Sequence, residues 1–240
     1  MLIFDRRSHR WKPIVRVTWL LVFGLGLGTT GAGAAPGPAP VSSSALSELE
    51  KRAEAGEAAA QVTLGLSFVN GANGVAVNES KALQWLKLAA EQGDVRGLYN
   101  LCSLYAKSRL LADPFLAFRA CKKAADKGYP PAEYALAKFY ERGQGVEADP
   151  KLRLKFLTAA AEHGLTTAQY DLGLHYTRVT VNGKFDQDKI KKWFTLAADS
   201  GHVLSLQKLG EFYLRLADEA VLSDNNRLPN PEGEAAKPPP

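Results

Sequence analysis

A pattern of small residue, leucine, small residue and aromatic returns along this chain every 35 to 37 residues. It reads Ala60/Leu64/Gly65/Phe68, Gly97/Leu101/Cys102/Tyr105, Ala132/Leu136/Ala137/Tyr140, Ala168/Leu172/Gly173/Tyr176 and Ser205/Leu209/Gly210/Tyr213. Offsets of 4, 5 and 8 put all four positions on one face of an α-helix. A fixed period of this length decides the architecture before any single element does.

Each of the first four copies is followed by a second element that ends in paired alanines and a glycine. The four ends are Ala89-Ala90-Glu-Gln-Gly93, Ala124-Ala125-Asp-Lys-Gly128, Ala160-Ala161-Glu-His-Gly164 and Ala197-Ala198-Asp-Ser-Gly201. Glycine just past a helix accepts the left-handed conformation that closes its last turn. The starts line up as well, with Asn78, Asp113, Asp149 and Asp186 each seven residues before Trp85, Ala120, Phe156 and Trp193. An Asn or Asp there accepts a free backbone N–H, and proline follows in two of the four. Two short helices per repeat cannot each bury a face alone, so neighbouring pairs stack. The reading is an all-α chain, a right-handed α-solenoid of antiparallel helix pairs over residues 45–222. Residues 46–56 and 203–222 are expected to cap its ends.

Outside this body the composition changes. Residues 1–34 hold five basic side chains and one acid, then the 12-residue apolar stretch Val17 to Gly28 and the small-residue segment Gly31 to Ala35. That order reads as an export signal cleaved after Ala34. The stretch is shorter than the ~20 residues a spanning helix needs, so no stable membrane insertion is expected after cleavage. The expected location is the periplasm, with secretion or an uncleaved inner-membrane anchor as alternatives. Residues 35–44 form a Pro/Ala/Ser-rich linker, and 223–240 are too poor in apolar side chains to order themselves. The whole chain has 30 Lys+Arg against 25 Asp+Glu; with five and one of these in the leader, the rest balances at 25 against 24. Electrostatic capture of nucleic acid is therefore not expected.

The combination A-x-x-x-L-G-x-x-Y, a Gly-rich loop, an acidic cap, K-A-x-x-W and A-A-x-x-G resembles the Sel1-like repeats, relatives of the tetratricopeptide repeats. Residues 60–93 carry it most fully, with Gly71-x-x-Gly74-Val75 and Lys81-Ala82-Leu-Gln-Trp85. Loops 106–112 and 177–184 depart from it. The resemblance implies a scaffold for protein contacts, in some exported members an immunity partner that blocks an antibacterial effector such as a lipase. In others it implies a role in envelope assembly or host contact.

Chemistry of its own is sparsely signalled. The body holds His163, His175 and His202 without metal-ligand spacing, and no cofactor or metal is expected. Ser205-Leu-Gln-Lys208 fits the S-x-x-K motif of penicillin-recognising enzymes, which would make Ser205 the nucleophile of a β-lactam or cell-wall enzyme. The S-D-N and K-T-G companions of that motif are missing from the sequence, and Ser205 also holds the repeat's small-residue position. Cys102 and Cys121, the only cysteines, both fall on inward positions of the second hairpin. In an oxidising compartment they are expected to form a disulfide; the alternative is two buried thiols.

The resemblance also implies a groove. In stacked pairs of this type the first helices line the concave face, and residues two before the repeat leucine and two, five and six after it point inward. The row before the leucine is Val62, Tyr99, Tyr134, Tyr170 and Gln207; six after it come Asn70, Lys107, Arg142, Arg178 and Arg215. Between them lie Leu66, Ser103, Lys138, Leu174 and Glu211. Tyrosine and arginine together are the composition of interface hot spots, though tyrosine there also serves as a packing residue. The expected partner is an acidic protein surface or peptide, and the expected function is binding without catalysis.

Overall fold

The computed structural model describes residues 2–5, 10–13, 43–181 and 183–225. They fall in two units, Met1–Ala39 and Pro40–Pro240. In the first, β1 (Leu2–Asp5) pairs antiparallel with β2 (Arg10–Pro13), Leu2 opposite Pro13. The apolar stretch and small-residue segment of the expected export signal lie outside the described residues, as do residues 35–42 and 226–240.

The second unit is helical. Its elements are α1 (Ser43–Glu54), α2 (Ala58–Asn70), α3 (Glu79–Glu91), α4 (Val95–Lys107), α5 (Pro114–Ala125), α6 (Pro130–Arg142), α7 (Pro150–Glu162), α8 (Thr166–Tyr176), α9 (Gln187–Asp199) and α10 (Val203–Asn225). Each helix packs on its neighbours in sequence, and α2 also touches α4. Four hairpins, α2/α3, α4/α5, α6/α7 and α8/α9, stack between α1 and α10 into an α-solenoid. Helix α1 starts at Ser43 and α10 runs to Asn225, so residues 43–44 and 223–225 are helical rather than linker and tail. The sequence between Gly210 and Pro229 has no glycine or proline to stop α10 where the apolar pattern ends.

The caps form as their residue types require. Asn78 accepts from the Lys81 N–H at 2.9 Å, Asp113 from Leu116 at 2.9 Å, Asp149 from Lys151 and Leu152 at 2.8 and 3.0 Å, and Asp186 from Lys189 at 3.0 Å. Asp94, which the repeat pattern does not single out, caps α4 in the same way through Arg96 and Gly97. At the other ends, the residue after each capping glycine closes back onto an alanine carbonyl, as Leu165 does onto Ala160 at 2.9 Å.

The repeat leucines Leu64, Leu136 and Leu172 are fully buried, each removal from water contributing about 2 kcal/mol. Small residues are needed where helices, or a loop and a helix, meet closely. A Cβ on Gly173 would stand 2.7 Å from the Phe194 ring, and one on Gly145 would stand 2.1 Å from the Pro114 carbonyl oxygen. One buried polar position recurs just after the small residue of the first helix. Gln61 donates to the Ala53 carbonyl at 3.1 Å, Gln169 donates to that of Ala161 at 3.2 Å, and Glu133 meets His163 Nδ1 at 2.8 Å. These contacts tie α2 and α8 to the helix before them and α6 to the end of its own partner.

Loop 177–184 is a short hairpin, β3 (Thr180–Val181) against β4 (Lys184–Phe185), between α8 and α9. Cys102 and Cys121 form a disulfide that ties α4 to α5, with Cα atoms 5.1 Å apart and both residues buried.

Candidate partner-binding groove

The first helices α4, α6, α8 and α10 bring most of the expected residues together in two clefts, while Tyr170 and Gln207 line neither. The first, of about 330 Å³, lies between α4 and α6 and is lined by Tyr99, Ser103, Lys107, Tyr134, Lys138 and Arg142, with Cys102 and Gln144. The second, of about 370 Å³, is bounded by Arg178, Phe185, Phe194, Lys208, Phe212 and Arg215. The hairpin supplies Phe185 to this second cleft, so the departure from the repeat pattern builds part of its wall. Val62, expected in the inward row, is buried instead.

Tyr99 and Tyr134 both pack and line the first cleft, whereas Tyr170 packs only. Tyr99 is half-buried and meets Tyr129 edge-on at 5.5 Å. Tyr170 lies 5.9 Å from Phe194 and 4.6 Å from His202. Tyr134 donates its hydroxyl to Asp171 Oδ2 at 2.8 Å. Burial, followed by that bond to Asp171, raises the Tyr134 phenol above its ordinary range.

The basic row is less uniform than its spacing suggests. Lys107, Arg142 and Arg178 are exposed and make no ion pair among the described residues. Lys138 sits 3.2 Å from both Asp171 and Glu141, 5.3 Å from the centre of the Tyr134 ring. Burial alone would lower its proton affinity, but Asp171, Glu141 and Tyr134 outweigh it and raise the ammonium above its usual range. Glu141 is held in turn by Arg153 of α7 at 2.9 Å. Arg215 pairs with Glu219 at 2.9 Å and stacks 4.6 Å over Phe185, while Gln207 donates to Glu211. The positive charge offered to a ligand is therefore concentrated at Lys107 and Arg142 in the first cleft and Arg178 in the second.

Asp171 and Glu141 are the residues the row reading missed. Glu141 occupies the fifth position after Leu136, one of the inward positions. Asp171 stands directly before Leu172, and nothing in the repeat marks it.

Ser205 is fully buried, with its hydroxyl 2.9 Å from His202 Nδ1. Lys208 is bound to Glu211 at 2.7 Å rather than to Ser205. A substrate carbonyl cannot reach a serine in that position, and the contact with His202 fastens the start of α10. His175 meets Tyr176 edge-on at 5.3 Å.

The Sel1 repeat family model matches residues 58–94, 95–129, 130–165 and 184–202, together more than half of the chain. The fourth match omits α8 and begins at the hairpin, although α8 carries Ala168, Leu172, Gly173 and Tyr176. Among solved structures, a protective antigen of uropathogenic Escherichia coli displaying an SLR fold is 34% identical, with TM-score 0.64, over 71% of this chain and 36% of that one. A Sel1 repeat protein from Oxalobacter formigenes is 33% identical, with TM-score 0.64, over 71% of this chain and 49% of its own. Chitin synthase regulatory factor 1 of Schizosaccharomyces pombe is 35% identical over 89 residues, 36% of this chain. The chain spans a fifth of that curated relative's length and from a third to a half of the two solved structures. With its stacked hairpins, matched repeats and shared fold, the chain belongs to the Sel1-repeat family, protein-interaction scaffolds that are generally non-catalytic.

Proposed function

We propose that this chain is an exported binding protein that captures an acidic protein surface or peptide. Its most concrete form is a periplasmic inhibitor, an immunity partner that blocks an antibacterial effector such as a secreted lipase. The observation that carries the proposal is the first cleft, where the unpaired cations Lys107 and Arg142 flank Tyr99 and Tyr134. Aromatic area that is already held in place, beside forked donors for carboxylates, is the arrangement of an interface anchor. An inhibitor needs a preformed surface and an export route. Stacked rigid hairpins and the Cys102–Cys121 bridge support the first, and the export-type composition of residues 1–34 supports the second.

The test starts with the protein as its producing cell processes it, used to capture partners from the envelope fraction and from the products of neighbouring toxin genes. Affinity for the captured partner is then measured by titration calorimetry. The double variant Lys107→Glu/Arg142→Glu should keep its helical circular dichroism and bind at least about 2 kcal/mol more weakly, through like-charge repulsion. Lys138→Glu should weaken binding less, because Lys138 is already neutralised. Unchanged affinity in the double variant would reject the cleft. Turnover of a β-lactam or muropeptide that disappears with Ser205→Ala would reject the binding-protein class.

A further inference from the structure

Among the described residues, α10 is a first helix with no second helix of its own packed over it. In the first and fourth repeats the glycine after the leucine lies under the second helix: a Cβ on Gly65 would meet Leu86 at 2.8 Å, and one on Gly173 would meet Phe194 at 2.7 Å. The equivalent Gly210 of α10 faces open space, with nothing within 4 Å among the described residues. The aromatic three residues on follows suit. Phe68, Tyr105 and Tyr140 are 8–9% exposed, whereas Tyr213 is 46% exposed.

The uncovered face is apolar and long. Helix α10 has 23 residues against 11 to 13 in the other helices, about 35 Å at 1.5 Å per residue. Val203, Leu206, Gly210, Tyr213 and Ala217 follow one another at alternating spacings of three and four along it, and Leu214 and Val221 widen the same uncharged face. This is the spacing of a coiled-coil seam. The opposite end of the solenoid differs, since the outer positions Glu48, Lys51 and Arg52 of α1 are charged. A head-to-tail stack of copies would bury those charges against the apolar seam.

We propose that a second copy of this chain covers α10, the two helices packing antiparallel about a two-fold axis near residue 212. The seam is self-complementary in that register. Leu214 of each copy comes opposite Gly210 of the other, filling it as Phe194 fills the space over Gly173, Val203 comes opposite Val221, and Leu206 falls within one residue of the level of Ala217. Such a contact is closed, the same patch serving on both sides. The five large apolar side chains of the seam expose on the order of 600 Å² per chain, worked from their fractional exposures. A pair would bury about 1,200 Å², the lower end of specific interfaces. The dimer is therefore concentration-dependent.

Sedimentation equilibrium of the full chain between about 5 and 500 µM tests this. The expected result is a reversible monomer–dimer equilibrium that Leu206→Glu and Leu214→Glu each weaken at least tenfold. Gly210→Trp, which adds no charge, should block the seating of Leu214 to a similar extent. All three positions are exposed, so circular dichroism and melting should stay close to the parent's. A chain that stays monomeric throughout overturns the proposal. So does a dimer that these variants leave intact, which would place self-association elsewhere, the apolar leader included. Binding of an unrelated helix to α10 by a chain that remains monomeric would likewise overturn the second copy as occupant.

Discussion

Replacing both Cys102 and Cys121 with alanine should lower the melting temperature by roughly 6–12 °C. The bridge spans a sequence separation of 19 residues, and closing a loop of that length in the unfolded chain is worth about 3 kcal/mol in the chain-entropy picture. For a folded body of this size each kcal/mol moves the midpoint by about 2–4 °C. Both residues are buried between α4 and α5, and alanine keeps the site apolar where serine would bury an unpaired hydroxyl. In a solenoid coupled through nearest neighbours the loss is local first. Hydrogen exchange should therefore quicken in α4 and α5 before it quickens in α8. The assay is calorimetric melting of the oxidised parent, the reduced parent and the double variant, with thiols counted after denaturation. The two thiol-free or reduced forms should melt together, below the oxidised parent. Equal midpoints in all three would refute the entropic reasoning, and free thiols in the oxidised, denatured parent would refute the bridge itself.

Ser200→Gln should raise stability by about 1 kcal/mol in a thermal melt. Gln169 Oε1 is buried without a donor, whereas in the first repeat Gln92, at the same place before the glycine, donates to Gln61 at 2.8 Å. Gly145→Ala should cost about 2–4 kcal/mol, since φ is +66° and the new Cβ would meet the Pro114 carbonyl; Gly164→Ala, at φ +85° with open space around it, should cost only about 1 kcal/mol of backbone strain. Burial first, and Arg153 second, hold the His175 imidazole below its ordinary range. The unfolded chain therefore takes up this proton more readily, and the stability His175 confers over His175→Gln is full above about pH 7 and falls as pH drops through about 6.5. Parallel curves for the two proteins in chemical denaturation would refute that assignment. Asp171→Asn should free Lys138, strengthening the capture of an acidic partner several-fold by calorimetry while lowering the melting temperature.

The fold was legible because every copy states it again. A lone Asp149-Pro150 or Gly164 is a weak boundary signal, but four aligned starts and four aligned ends leave the same helix pair as the only period that fits. The extent of α10 was not legible in the same way. Its apolar pattern fades near Leu222, yet the backbone bonds of Ser223–Asn225 need only the absence of a stop. The 180–185 hairpin was visible as a departure in length, but its pairing rests on a turn at Gly183 with φ of +74°, for which the repeat supplies no template.

The groove was legible in a different measure, and the reason is geometric. Helical spacing assigns a residue to a face, so it placed Tyr99, Lys107, Tyr134, Lys138 and Arg142 in one cleft. It cannot assign a residue to a partner, because that depends on the register between layers about 37 residues apart. Tyr134 and Asp171 stand at that separation and bond at 2.8 Å, and Lys138 completes the same cluster. The consequence for binding is quantitative: a carboxylate ligand approaching Lys138 must compete with two that are already there, whereas Lys107 and Arg142 need only give up water. A basic row of equal spacing thus becomes a row of unequal strength. An acidic segment should seat its carboxylates between α4 and α6 and turn its apolar side chains toward Tyr99 and Tyr134.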